Sequence, residues 1–111
     1  MAVLKPKRGS VWWVTLDPTR GSEIKKRRPA VIISNNISNK HLDRVQVIPL
    51  TSNVMNVYPS ECLVTVKRQT GKVMADQIRT VSYERLGERI ADLSSNDLQA
   101  VENVLRLQLG L

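Results

Sequence analysis

The side chains best suited to chemistry in this sequence stand at the ends of apolar runs. Arg28 closes the basic run Lys25-Lys26-Arg27-Arg28 and stands just before Pro29-Ala30-Val31-Ile32-Ile33. Thr51 and Ser52 follow the alternating run Arg44 to Leu50, RVQVIPL. Two acids, Glu23 and Asp76, lie in polar stretches that could approach these ends. An arginine stays protonated and holds two phosphate oxygens at once, so it suits developing negative charge and is a poor proton acceptor. A threonine hydroxyl can donate to a phosphate oxygen, but it is a poor base unless activated. Cleavage of RNA without a metal needs little more, because the nucleophile is the substrate's own 2′-hydroxyl. What must be supplied is help in removing that proton, neutralisation of charge on phosphorus, and a proton for the leaving oxygen. Arginines and hydroxyls at strand ends also do ordinary capping and solvation, so the residue types alone leave both readings open.

Other chemistries are poorly served. There is no Gly-rich phosphate loop and no nucleophile elbow. The single histidine, His41, falls in a polar turn and reads as a surface residue. One His and one Cys cannot build a zinc cluster, and no carboxylates stand at calcium-loop spacing.

The elements that must position these groups are short. Ser10 to Leu16 reads as a strand in which the adjacent Trp12 and Trp13 face opposite ways. One ring is expected in the core and the other on an exposed platform or subunit contact. Asp17-Pro18 and Gly21 open a long, mobile basic loop, fixed to the core at its far end, and Ala30 to Ser34 follows as a buried strand. Asn35 to Asn39 reads as a polar turn, and Arg44 to Leu50 as a strand with Pro49 near its end. Val54 to Ser60 is expected to be a loop, either packed or serving as a lid or lip. Glu61 to Val66 is a strand with Cys62, Val64 and Val66 on one face. Gln69-Thr70-Gly71 is a turn, Lys72 to Ala75 a strand, Asp76 to Thr80 a polar stretch, Tyr83 to Leu86 one helical turn, and Gly87 to Leu93 a last strand. Ser94 caps a helix from Ser95 to about Leu109, with Leu98, Val101, Leu105 and Gln108 on one side and Val104 and Leu107 widening the stripe. Part of that stripe could meet a second subunit. The pattern predicts a mainly β chain, a strongly bent sheet or barrel with a C-terminal helix as cover.

The 111 residues are enough for one domain, 1–111, with one modest core. A formal charge of +7, from 17 Lys+Arg against 10 Asp+Glu, favours a polyanionic partner. No apolar stretch approaches the ~20 residues of a spanning helix. The basic lead-in, residues 1–9, is expected to be frayed at its start and lacks the apolar core of a signal peptide. Cys62 is the only cysteine, which rules out an internal disulfide and fits a reducing cytoplasm.

Several blocks taken in order resemble the MazF/PemK family of bacterial and plasmid toxins. They are Arg8-Gly9, Val11-Trp12, Leu16-Asp17-Pro18, Gly21-Ser22-Glu23 and Arg28-Pro29-Ala30-Val31-Ile32, then Pro49-Leu50-Thr51-Ser52, then Asp76-Gln77-Ile78-Arg79-Thr80. The resemblance spans nearly the whole chain. It implies an SH3-like bent β-barrel, a homodimer, and an endoribonuclease (mRNA interferase) that cuts single-stranded mRNA at a short sequence and causes growth arrest. It implies 2′,3′-cyclic phosphate and 5′-hydroxyl ends, and no metal or cofactor. It places catalysis on Arg28, for charge and possible proton transfer, and on Thr51, for orienting the phosphate. Glu23 would frame the site, and Lys25, Lys26 and Ser52 would contact RNA. Asp76, Gln77 and Arg79 would support the pocket floor or touch RNA. A cognate antitoxin would lay an acidic tail over the basic groove. Some plasmid relatives carry a His beside the loop acid, and an Arg and an Asp before the Gln. Here Ser22 neighbours Glu23 and the run is Met74-Ala75-Asp76-Gln77, so the Asp is kept and the His and Arg are absent. That favours Arg28 and Thr51 and leaves the general base open. Two other functions fit the same fold: inhibition of DNA gyrase by binding, and non-catalytic binding of nucleic acid. The gyrase-inhibiting relatives end in Trp-Gly-Ile, whereas this chain ends in Leu109-Gly110-Leu111.

Overall fold

The computed structural model describes residues 5–111. Among the described residues there are seven strands: β1 (Ser10–Thr15), β2 (Arg27–Ile32), β3 (Arg44–Thr51), β4 (Glu61–Val66), β5 (Gln69–Met74), β6 (Arg79–Ser82) and β7 (Leu86–Asp92). Helix α1 (Asn36–His41) joins β2 to β3, and α2 (Ser95–Leu109) ends the chain. The strands form one antiparallel sheet in the order β4-β5-β3-β2-β1-β7, with β6 also paired to β3.

The curl of the sheet comes from β3. Its start pairs with β6, from Arg44↔Ser82 to Val47↔Arg79, and its end pairs with β5 at Leu50↔Val73 and Thr51↔Lys72. The change of partner brackets Pro49, which has no N–H to give to a ladder. A second bend lies between β1 and β7, whose register shifts on both sides of Trp12.

Both faces of the central strands are buried, which is why Ala30 to Ile33 reads as a continuous apolar run. Val11, Val31, Ile33, Ile48, Leu50, Val64, Val73 and Leu93 pack on one face with Val101 of α2. Val14, Leu16, Ala30, Ile32, Val45, Val47 and Val81 pack on the other, with Trp12, Ile24, Tyr83 and Leu86 at the edge. Cys62 packs beside the first cluster, and burial followed by the charge of Asp97 pushes its thiol up to about 11. It is an inert core side chain rather than a nucleophile.

The sequence places α2 correctly. The Ser94 hydroxyl accepts from the Asp97 amide at 3.1 Å, and Gly110 closes the helix with φ of 73°. Leu98, Val101 and Leu105 face the core, while Gln108 and Leu107 are exposed.

Four expectations need correction. The polar turn at Asn35 to Asn39 is the start of α1: the Asn35 side chain accepts from the Ser38 amide, and Asn39 is buried and hydrogen-bonded. The turn assigned to Gln69-Thr70-Gly71 lies instead at Lys67-Arg68, both at positive φ (49° and 67°), so β5 starts at Gln69. The usual Gly or Asn signal of that tight turn is missing here. Gly71 is needed for room, since a Cβ there would meet the Leu50 Cδ2 at 3.3 Å. Finally, β2 begins at Arg27, not Ala30. Arg27 and Arg28 pair with Thr15 and Val14, and β3 joins only from Ala30. One edge of β2 is therefore unpaired at Pro29, where proline is tolerated. The polar stretch Asp76 to Thr80 divides into a 3-10 turn, Ala75–Gln77, and the start of β6.

Of the basic lead-in, residues 1–4 lie outside the described residues. Its later part is tied down: Gly9 N–H donates to the Ile32 carbonyl at 2.8 Å, and Arg8 pairs with Glu102 at 2.6 Å. Among the described residues, no helix is long and apolar enough to cross a membrane.

Candidate active site

Where β3 leaves β2 for β5, the sheet opens into a groove of about 530 Å³. Trp13 of β1, Arg27, Arg28 and Pro29 of β2, and Leu50 and Thr51 of β3 line one side, continuing into Ser52. The β4–β5 hairpin closes it with Val66, Lys67, Gln69, Thr70 and Gly71, and Ile90 of β7 completes it. The unpaired edge at Pro29 is what exposes Arg28 to this space.

Arg28 and Thr51 thus line one groove, although 23 positions separate them in the chain. The Arg28 Nε donates to the Lys25 carbonyl at 2.9 Å, which fixes the base of the guanidinium and leaves both terminal nitrogens for a ligand. Among the described residues, no carboxylate lies within ion-pair distance of Arg28. The Thr51 hydroxyl accepts from the Asn53 amide at 3.2 Å. With its lone pair so engaged, the hydroxyl proton is available to a phosphate oxygen. Among the described residues, the lining holds three cations (Arg27, Arg28 and Lys67) and no acid or histidine. Such a groove attracts an anion and offers no ordinary proton acceptor.

Arg27, Trp13, Lys67 and Thr70 are groove residues that the sequence reading did not assign. The Arg27 guanidinium lies over the Trp13 ring at 4.6 Å, a cation–π contact that holds it in place. A Cβ at Gly87 would meet the Arg27 Nη2 at 3.0 Å, so the glycine leaves it room. The two tryptophans do separate. Trp12 packs against the second core cluster and donates to the Ser10 hydroxyl at 2.9 Å, while Trp13 is the platform under Arg27. The four-base run gave a signal for Arg27, but nothing local distinguished it from Lys26.

The remaining candidates lie off the groove lining. The basic loop between β1 and β2 is fastened at both ends, not one. Leu16 N–H donates to the Lys26 carbonyl at 2.9 Å, and Lys26 N–H donates to Asp17 Oδ1 at 3.1 Å. Glu23 Oε1 accepts from the Arg20 amide at 2.7 Å and closes a turn within the loop. Gln77 Oε1 accepts from the Ile24 amide at 3.2 Å, and Arg79 Nη1 donates to the Leu16 carbonyl at 3.1 Å. Arg85, not anticipated, donates to the Thr15 carbonyl at 3.1 Å and to the Asp17 carbonyl. Gln77 and Arg79 therefore brace the loop from behind. Asp76, Lys25 and Lys26 are exposed, and none of these six candidates (Glu23, Lys25, Lys26, Asp76, Gln77, Arg79) lines the groove. His41 is exposed at the end of α1. Among the described residues, no group of three or more His, Cys, Asp or Glu side chains is arranged to hold a metal.

Comparison with known proteins places the fold in a family. Residues 7–109 match the profile of the PemK-like, MazF-like toxins of type II toxin–antitoxin systems. The chain is 39% identical over 115 residues to Endoribonuclease MazF9 of Mycobacterium tuberculosis (strain ATCC 25618 / H37Rv), covering 95% of this chain and 97% of that protein. The MazF of Deinococcus radiodurans superposes with a TM-score of 0.88 at 29% identity, over 98% of this chain and 100% of that one. A mycobacterial endoribonuclease solved in complex with its cognate antitoxin superposes with a TM-score of 0.81 at 27% identity, over 96% of each chain. With the bent seven-stranded sheet, the terminal helix and nearly the full length matched, the chain belongs to the PemK-like, MazF-like toxin family of type II toxin–antitoxin systems.

Proposed function

We propose that this toxin is an endoribonuclease that cuts single-stranded RNA, chiefly mRNA, at a short sequence, without a metal, leaving 2′,3′-cyclic phosphate and 5′-hydroxyl ends. The observation that carries the reading is the acid-free groove lined by both Arg28 and Thr51. The scissile phosphodiester sits between them. Arg28 takes two non-bridging oxygens with its terminal nitrogens and stabilises the charge that grows as the 2′-oxygen bonds to phosphorus and the bond from phosphorus to the 5′-oxygen breaks, the 2′-hydroxyl proton passing in net to that 5′-oxygen. Thr51 donates a hydrogen bond from its hydroxyl to a phosphate oxygen and orients the group. Arg27 and Lys67 hold flanking phosphates. Ser52 adds a second hydroxyl, and Lys25 and Lys26 gather the strand from the loop. Glu23, Asp76, Gln77 and Arg79 act by shaping or bracing that loop.

The reading extends to residues 1–111 as one toxin domain, working in the cytoplasm as a homodimer and held in check by an acidic antitoxin tail. The +7 charge supports the antitoxin and the RNA alike. The exposed Leu107, Leu109 and Leu111 (61%, 50% and 87%) are apolar surface on which a second subunit could pack.

The direct test is incubation with a long mixed-sequence RNA in EDTA, with ends mapped by primer extension and their chemistry read by phosphatase and kinase sensitivity. Discrete cuts with cyclic phosphate ends are expected. Intact RNA, alongside a working control nuclease, would move the function to binding alone, with supercoiling inhibition as the next assay.

Salt gives an independent check. Counting only the three groove cations as phosphate contacts, log affinity should fall with log salt at a slope of about −2 or steeper, at ~0.7 per contact for a single strand. Binding of an uncleavable 2′-deoxy-substituted strand should therefore weaken roughly 20-fold between 50 and 200 mM salt. A flat response would remove the basic groove as the binding site.

A further inference from the structure

The loop that follows Thr51 carries three exposed apolar side chains, Met55, Val57 and Tyr58, at 68%, 46% and 60% exposure. Exposed apolar side chains concentrated in one short loop mark a contact surface more often than chance. The loop is also fixed with unusual care. Asn53 N–H donates to the Thr51 hydroxyl and Met55 N–H donates to Asn53 Oδ1, each at 3.2 Å. Asn56 takes φ of 55°, which asparagine tolerates. Beneath the loop lies an ion pair of Lys72 and Glu61 at 3.5 Å, with side chains only 8% and 11% exposed. Lys72 Nζ also donates to the Met55 carbonyl at 3.1 Å, and Glu61 Oε1 also accepts from the Tyr58 amide at 2.9 Å.

A pair this dry adds little net stability, because desolvation offsets most of the attraction. Its effect is geometric: it clamps both ends of the Met55–Tyr58 segment. Lys72 is also the cross-strand neighbour of Thr51, so the clamp and the groove share one register.

We infer that Lys72 and Glu61 form a latch that holds Met55, Val57 and Tyr58 as a preformed lip for stacking an unpaired RNA base next to the scissile phosphodiester. This rests on the ribonuclease reading and deepens it. The occupant is a base because the lip is apolar and aromatic, and because its chain runs directly from Ser52 in the phosphate-holding groove. Successive groups along a single strand alternate in the same way, charged phosphate and then flat base. Tyr58 and Met55 touch substrate on this reading, whereas Lys72 and Glu61 are positioning residues that act through the loop.

The test uses the full chain and a short single-stranded RNA containing one mapped cut site. Tyr58→Ala should raise KM about tenfold with kcat within about twofold, and should relax base preference at one position flanking the cut. Tyr58→Phe should restore wild-type KM and preference, since the ring and not the hydroxyl does the stacking. Lys72→Met should raise KM in the same direction and speed amide hydrogen exchange in 53–58 while exchange in β3 and β5 stays slow. Wild-type KM and cut-site preference in Tyr58→Ala would overturn the lip, and unchanged exchange in a folded Lys72→Met would overturn the latch. Tyr58 lies on the surface, so its variants decide the lip even if Lys72→Met fails to fold. A wild-type protein that cuts no RNA would overturn the ribonuclease reading itself, a result distinct from either of these.

Discussion

Replacing Arg28 with alanine should lower RNA cleavage by roughly 10³-fold, the scale of removing a preorganised charge from a developing oxyanion. The fold should survive. Arg28 is only partly buried, and among the described residues the one hydrogen bond of its side chain within the protein runs from Nε to the Lys25 carbonyl. Losing it should cost about 1 kcal/mol. Arg28→Lys should recover little, because an ammonium cannot span two phosphate oxygens as the planar fork does. Thr51→Ala should cost less, about 10²-fold, since a hydroxyl supplies one neutral hydrogen bond. Single-turnover cleavage of a defined RNA, with circular dichroism as the check on folding, measures all three. Full-rate cutting by both alanine variants would show that the reacting phosphate lies elsewhere.

The second large effect concerns the fold behind the site. Asn39, 1% exposed, donates from Nδ2 to the Ser34 carbonyl at 2.9 Å and accepts from the Ser34 hydroxyl at 2.5 Å. That hydroxyl in turn accepts from the Gln46 amide at 3.1 Å, and the Tyr83 hydroxyl donates to the Asn39 carbonyl. The Asn39 and Ser34 side chains together therefore join α1, the segment just after β2, and β3. Asn39→Leu keeps the branched side-chain shape, with bulkier methyl ends, but leaves the buried Ser34 carbonyl and hydroxyl short of partners. Two such groups should cost about 3 kcal/mol in all. For a chain of this size the melting temperature should drop by about 10 °C or more. Thermal unfolding followed by circular dichroism reads it directly. A shift of under about 2 °C would mean that water replaces the amide and that the network is not structural.

Much of the fold was legible locally. The period-two alternation in Arg44 to Leu50 and Glu61 to Val66 gave β3 and β4 to within a residue. Ser94 marked the start of α2 because a hydroxyl at that position satisfies an amide three residues on. Failures came where the local signal was absent or pointed elsewhere. The Lys67-Arg68 turn has no glycine, so Gly71 drew the turn to itself. An Asn-rich segment looked like a turn because asparagine favours turns, whereas here Asn35 caps a helix and Asn39 is buried within it.

By itself, the sequence determined the family, the bent β architecture with its terminal helix, and Arg28 and Thr51 as the groups to watch. Those properties sit in short blocks whose residue types carry their own chemistry. Only the tertiary structure decided which residues share the groove with them: Arg27 on Trp13, Lys67 from a hairpin far along the chain, and no acid at all. It also decided that Gln77 and Arg79 brace the basic loop while lying off the groove lining, and that Lys72 and Glu61 clamp the loop after Thr51. The physical reason is the same in each case. These neighbours are set by the curl of β3 as it changes partners and by the register of the strands on either side. Neither is written in any run of adjacent residues.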